Sequence, residues 1–286
     1  MKKIIFCGFG KLGKDCMETL IEQGYQIKYV MTHKENEKDS VDILAQNSGI
    51  EYSYIDARKK MDKLFEIIKN IKPDFLISVN YRYIIPKEIY NLADYAINIH
   101  GSLLPKYRGR TPHVWSIING ENESGITCHL IEETVDTGDI ISQIVIPIES
   151  NDTGYSILKK FESKYPIILI DSIEKLLNGS KLIKQDDKLA SYYGKRISKM
   201  GYIDFRMRAN DVINFVRAQA EPYPGAYYYL IDGRKIIINR VAKCELKDYD
   251  AIIGIIREID NHYYVRCKDN TLRIEDYRVI DYKGGV

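Results

Sequence analysis

Met1-Lys-Lys-Ile-Ile-Phe-Cys-Gly8-Phe-Gly10-Lys-Leu-Gly13 opens the chain with a short apolar run that breaks into closely spaced glycines. A run of this length, a glycine turn and then a helix-like stretch from Lys14 to Gln23 ending at Gly24 is how a parallel α/β sheet begins. The glycines interrupt the apolar run too soon for a signal peptide, so it reads as a first strand. Their spacing also matches a dinucleotide fingerprint, which needs an acidic residue about 20 positions on to hold the ribose. Tyr25-Gln-Ile-Lys-Tyr-Val-Met-Thr-His33 supplies none there, and Glu35 comes late, in the charged run Lys34 to Asp39, which reads as a solvated loop. The glycines are therefore a tight strand-to-helix turn in a Rossmann-like sheet without a dinucleotide site.

Outward from this start, helix and strand signals alternate. Met61, Leu64, Phe65, Ile67 and Ile68 form a helical stripe over 60–71, and Pro73 to Val79 reads as a short buried strand. A brief helix over 86–92 leads to a strand ending at His100. Thr111 is placed to cap a helix that Pro112 opens and Gly120 stops. Gly125 to Ile131 alternates as a strand. Residues 153–177 read as a long amphipathic helix interrupted near Pro166 and closed by Asn178-Gly179. A polar, basic connector fills 180–199, a helix is expected over 204–220, and 226–231, 235–239, 251–256 and 263–266 read as strands. The fold expected is α/β: a Rossmann-like N-terminal domain with connector, 1–199, and a smaller β-rich, OB-like C-terminal domain, 200–286.

The chain has 286 residues, and 42 basic against 40 acidic side chains leave a net charge of +2. That is no electrostatic footprint for a nucleic acid, so none is expected as partner. Nothing approaches the ~18 uninterrupted apolar residues of a membrane span, and no membrane association is expected. The five cysteines, Cys7, Cys16, Cys128, Cys244 and Cys267, are scattered and have no Cys-x-x-Cys spacing. They read as reduced thiols of a cytoplasmic protein.

The chemistry is concentrated in Asn98-Ile-His-Gly-Ser-Leu-Leu-Pro-Lys-Tyr-Arg-Gly-Arg-Thr111. Asn98 and His100 are two apart, so in an extended strand both leave one face while Ile97 and Ile99 face the other. An amide donor beside a titratable imidazole suits acyl transfer, one group for the developing oxyanion and one for a proton. Downstream, Asp136 and Asp139 lie in a turn between two strand-like runs. Alone, Asp-Thr-Gly-Asp is ordinary turn chemistry.

Asn98-x-His100, Ser102-Leu-Leu-Pro105 and Val135-Asp136-x-Gly138, in that order and spacing, together resemble the 10-formyltetrahydrofolate-dependent formyltransferases, especially those that N-formylate nucleotide-linked amino sugars. The resemblance resumes at Gly194-Lys-Arg196, Ile203-Asp-Phe205 and Val216 to Ala226. It implies direct attack of a neutral amine on the formyl carbon of the co-substrate 10-formyltetrahydrofolate, with no metal and no covalent enzyme intermediate. Asn98 would donate to the oxyanion. Asp136 would hold His100, which either stabilises the oxyanion or relays a proton. The folate would lie near Tyr83 and Ile84 and against Ser102, Leu103 and Leu104. The nucleotide sugar would meet Tyr107, Arg108, Arg110, Lys195 and Arg196.

Within that family Arg108-Gly-Arg-Thr-Pro112 and Ala220-Glu-Pro-Tyr-Pro-Gly225 resemble the sugar-nucleotide branch, and the resemblance implies a dTDP-4-amino-4,6-dideoxyhexose as acceptor, of the kind destined for lipopolysaccharide O-antigen, and a homodimer. A methionyl-tRNA formyltransferase is the second reading, and a noncatalytic sugar-nucleotide-binding protein the third. The remaining histidines, His33, His113, His129 and His262, have no metal-ligand spacing and read as surface or packed residues. Trp115 reads as core.

Overall fold

The computed structural model describes residues 1–34, 40–245 and 251–280. The charged run from Glu35 to Asp39 lies outside the described residues. By contacts the chain forms two compact units. One comprises Met1–Gly109, Gly125–Ile146 and Lys160–Tyr192, the other Arg110–Ser124, Pro147–Lys159 and Tyr193–Val286.

The first unit is built on a seven-stranded sheet in the order Tyr52–Ser53, Gln26–Met31, Lys3–Gly8, Phe75–Val79, Tyr95–His100, Glu123–Leu130, Ile140–Pro147. The strands from Tyr52 to His100 pair in parallel, as expected, whereas Tyr95–His100 pairs antiparallel with Glu123–Leu130. Phe75–Val79, buried along its whole length and apolar but for Ser78, is what a parallel strand covered on both faces requires. Leu64 and Ile68 of the helix Met61–Ile71 bury their stripe beside Ile5, Tyr29, Met31 and Leu76. The first glycine turn is used structurally. Gly10 has φ +65°, and a Cβ on Gly13 would stand 3.1 Å from the Gly8 backbone, so helix Gly10–Glu22 can lie close to its strand only with glycine there. The amphipathic stretch 153–177 is two helices, Gly154–Glu162 and Tyr165–Leu177, with Pro166 in the first turn of the second.

The second unit carries a five-stranded sheet in the order Ala226–Tyr229, Lys235–Cys244, Thr271–Ile280, His262–Arg266, Ile256–Ile259, antiparallel throughout. Its core gathers Phe205, Val212, Val216, Ile236, Ile238, Val265, Leu272 and Ile274. The fold class read from sequence is thus observed, with four local corrections. The helix expected over 204–220 is Ala209–Ala218, because Asp204 instead closes a turn by accepting the backbone N–H of Arg206. The strand expected at 251–256 begins only at Ile256, after a turn in which Gly254 has φ +82°. Thr271–Ile280, the sheet's middle strand, was not expected at all. Thr111 adopts φ +53° and turns its hydroxyl onto the Arg110 carbonyl at 2.8 Å, so it makes no side-chain cap. All five cysteines are free thiols. Among the described residues, no helix is long and apolar enough to cross a membrane.

Candidate active site

Asn98 and His100 lie at the carboxyl end of the strand Tyr95–His100, whose pattern buries Ile97 and Ile99. Antiparallel pairing sets Asn98 opposite His129 and His100 opposite Thr127. Side chains directly opposite share a face, so the register itself brings a second histidine to the Asn98 amide. Asn98 Nδ2 lies 3.2 Å from His129 Nε2, and His129 Nδ1 lies 2.7 Å from the Leu130 carbonyl. His129 is 2% exposed. Expected as a surface or packed residue, His129 is packed, and the place it packs is against the Asn98 amide.

Asp136 joins His100 and His129. Its Oδ2 is 3.4 Å from His100 Nδ1 and accepts the Gly109 backbone N–H at 2.9 Å, and its Oδ1 is 3.6 Å from His129 Nε2. Burial alone would push this carboxyl up, but His100 foremost, with the Gly109 N–H, outweighs it and holds it at about 2. Asp136 is therefore a carboxylate at neutral pH. His100 Nε2 sits 2.8 Å from the Tyr107 carbonyl, which can only accept, so Nε2 donates there. Nδ1 then faces the carboxylate, a contact that is attractive only when the ring carries a second proton, on Nδ1.

The turn carrying Asp136 is held from several sides. Asp136 itself has φ +59°, a left-handed conformation that a short polar side chain tolerates. Gln185 donates to the carbonyls of Asp136 and Gly138 at 3.0 and 2.7 Å. Its Oε1 is fixed in turn by Arg108, whose Nε and Nη2 approach it at 3.1 and 2.7 Å. Arg108 also reaches the Tyr192 hydroxyl and Asp187. At Gly138 a Cβ would stand 2.0 Å from the Leu130 carbonyl oxygen, so only glycine lets the turn close on that carbonyl.

The other expected site residues are placed as follows. Tyr83 packs its ring edge-on to His33, and Ile84 is exposed. Ser102 and Leu104 are buried, the Ser102 hydroxyl donating to Lys106 O at 2.7 Å and the Leu104 N–H reaching Thr127 Oγ1 at 3.1 Å. Leu103 lies against Gly125, where a Cβ would stand 2.4 Å from its Cδ2. Tyr107 is buried with φ +60°, which turns its carbonyl onto His100. Arg108 is 1% exposed and its guanidinium is bonded within the protein. Arg110, Lys195 and Arg196 fall in the second unit. Arg110 and Lys195 are exposed. Arg196 stacks over Trp115 at 4.8 Å, donates to Met200 O and Gln219, and is pushed down by burial. Trp115, expected in the core, is half-buried and stacks on Tyr193 and Arg196. Among the described residues, no cluster of three or more histidine, cysteine or acidic side chains could hold a metal ion.

Sequence reading missed His129 and Gln185. Thr127 and His129 share a face of an alternating strand, but nothing in that strand names its partner. Gln185 lies in a polar connector with no periodicity.

Two family models match the chain: formyl transferase over residues 2–173, and formyl transferase, C-terminal domain, over residues 196–283. Methionyl-tRNA formyltransferase of Caldanaerobacter subterraneus subsp. tengcongensis is 31% identical, over 95% of this chain and 90% of that protein. The bifunctional polymyxin resistance protein ArnA of Wigglesworthia glossinidia brevipalpis is 34% identical over 96% of this chain, which spans 42% of that protein's length. The crystal structure of an N-formyltransferase from Helicobacter canadensis, in complex with folinic acid and dTDP-3-aminofucose, superposes with a TM-score of 0.75 at 22% identity, covering 97% of this chain and 100% of that one.

Proposed function

The chain belongs to the formyl transferase family of enzymes, and on that premise we propose that it moves the formyl group of 10-formyltetrahydrofolate to the amine of a nucleotide-linked amino sugar. One observation carries the reading. Of the two amide protons on Asn98 Nδ2, one is directed to His129, and no other partner takes the second among the described residues. A half-satisfied amide donor at a strand end, beside a histidine and a carboxylate, is what a tetrahedral oxyanion requires. In the reaction the neutral amine attacks the formyl carbon, Asn98 donates to the resulting oxyanion, and collapse breaks the bond from the formyl carbon to N10, the proton lost by the amine ending on N10 of the departing tetrahydrofolate. Asp136 holds His100 through Nδ1. His100 can approach the reacting atoms through Nε2 only by leaving the Tyr107 carbonyl. We assign Asn98, His100 and Asp136 the catalytic roles.

The folate site is assigned to Tyr83, Ile84 and the turn Ser102-Leu103-Leu104, of which Ile84 offers an exposed apolar surface. For the acceptor we favour a dTDP-4-amino-4,6-dideoxyhexose. Support comes from a relative whose bound ligands are folinic acid and dTDP-3-aminofucose, and from another described as a 4-N formyltransferase from Francisella tularensis. Exposed Arg110 and Lys195 suit the pyrophosphate, whereas the enclosed Arg108 suits the architecture of the site. The test is mass spectrometry of reactions with 10-formyltetrahydrofolate and, separately, dTDP-4-amino-4,6-dideoxyglucose, dTDP-3-amino sugars and UDP-4-amino-arabinose. A product one formyl group heavier with any of them supports the reading and names the sugar, and no product with all of them removes it.

The 31% identity to a methionyl-tRNA formyltransferase over 95% of the chain favours a second reading, with charged initiator tRNA as acceptor. It predicts salt-sensitive tRNA binding through counterion release. Absence of binding at low salt excludes it.

A further inference from the structure

We propose that His129 is a positioning residue that orients the Asn98 amide, so that its N–H and not its carbonyl faces the reacting formyl group. This rests on the reading of Asn98 as oxyanion donor given above. An Asn side chain carries donors on one end and an acceptor on the other, and the two ends are nearly isosteric. Left unrestrained at a strand end, the amide could present either. The carbonyl end would repel an oxyanion.

His129 removes that freedom in two steps. Its Nδ1 lies 2.7 Å from the Leu130 carbonyl, which accepts and never donates, so Nδ1 must carry the proton. In the neutral ring Nε2 is then an acceptor, and the atom it meets at 3.2 Å is Asn98 Nδ2. One N–H of Asn98 is thereby directed to the imidazole, and the geminal N–H is left to the substrate. The Leu130 carbonyl that fixes the tautomer is also the atom on which Gly138 closes the turn. Ring and turn are therefore set against one backbone group. Asp136 Oδ1, at 3.6 Å from Nε2, is beyond hydrogen-bond distance, and an ionised carboxylate has no proton to offer that nitrogen, so the donor Nε2 meets is Asn98.

Two measurements test this. The first needs no substrate: long-range proton–nitrogen correlation spectra of the labelled protein near neutral pH should show His129 as the Nδ1–H tautomer with an unprotonated Nε2. An Nε2–H tautomer overturns the proposal. The second is kinetic, on the acceptor that the mass-spectrometric test identifies. His129→Leu cannot accept from Asn98, and kcat should fall about 10²-fold with both KM values within about threefold, the signature of an interaction made in the transition state. His129→Gln, whose Oε1 can accept the same proton, should stay within about tenfold of the wild type. The double variant Asn98→Ala/His129→Leu should be no slower than Asn98→Ala alone, because the histidine acts only through that amide. His129→Leu at wild-type kcat, or additive losses in the double variant, overturns the proposal. Should His129→Leu lack a cooperative thermal melt, His129→Gln decides: a folded variant more than about tenfold slower refutes the orienting role. Asn98→Ala at wild-type rate would instead remove the catalytic reading beneath it, whatever the tautomer.

Discussion

Replacing Asp136 by Asn deletes the charge on which both histidines converge while keeping the shape of the side chain. The carboxyl is 9% exposed, receives the Gly109 N–H at 2.9 Å and stands 3.4 Å from His100. Holding it at about 2 instead of the ordinary 3.8 makes the ionised group a source of stability, worth about 2 kcal/mol. The sign follows from the depressed value. The contribution is complete above the unfolded carboxyl's pKa of about 4 and disappears as pH falls through the folded value of about 2. Urea titrations of wild type and Asp136→Asn, run from neutral pH down to about pH 2.5, should therefore show the wild type more stable by about 2 kcal/mol near neutrality, with the gap closing below about pH 4. A variant as stable as the wild type at neutral pH, or a gap unchanged below about pH 4, would refute the account of Asp136 as a carboxylate stabilised by His100 and the Gly109 N–H.

Three further outcomes follow from the same geometry. Gly138→Ala must relieve a 2.0 Å approach to the Leu130 carbonyl, which moves the Asp136 turn by about 1 Å, and kcat should drop about 10²-fold; a rate within about threefold of wild type would show the turn can yield without moving Asp136. Arg108→Lys keeps the charge but cannot span Gln185, Asp187 and Tyr192 at once, so the urea midpoint should fall by the equivalent of about 2 kcal/mol. An unchanged midpoint would mean the arginine does not brace the turn. His100→Ala should retain a cooperative melt and lose about 10²-fold or more in kcat; undiminished turnover would remove His100 from the mechanism.

The parallel sheet was legible because its information is local: Lys3–Gly8 and Phe75–Val79 are short, mostly apolar runs bounded by glycine, proline or charge. The position of Asn98 and His100 at a strand end was legible for the same reason. Thr271–Ile280 escaped because Arg273, Glu275, Asp276 and Arg278 crowd its alternation, and its apolar face, Leu272 and Ile274, becomes evident only against the strands on either side. Trp115 escaped because an aromatic on an apolar helix reads as core, whereas Arg196, 81 positions on, arrives to stack over it.

By itself, then, the sequence determined the α/β class, the glycine turn from first strand to first helix, and the resemblance to the formyl transferase family. Tertiary structure decided which side chains act together. Asn98 meets His129 through the pairing register of strands whose facing residues lie 31 positions apart, and Asp136 reaches both histidines from a left-handed turn braced by Gln185 and Arg108. Strand periodicity states which face a residue occupies, but a register is a relation between two segments, fixed only when both pack on one core and satisfy each other's backbone groups.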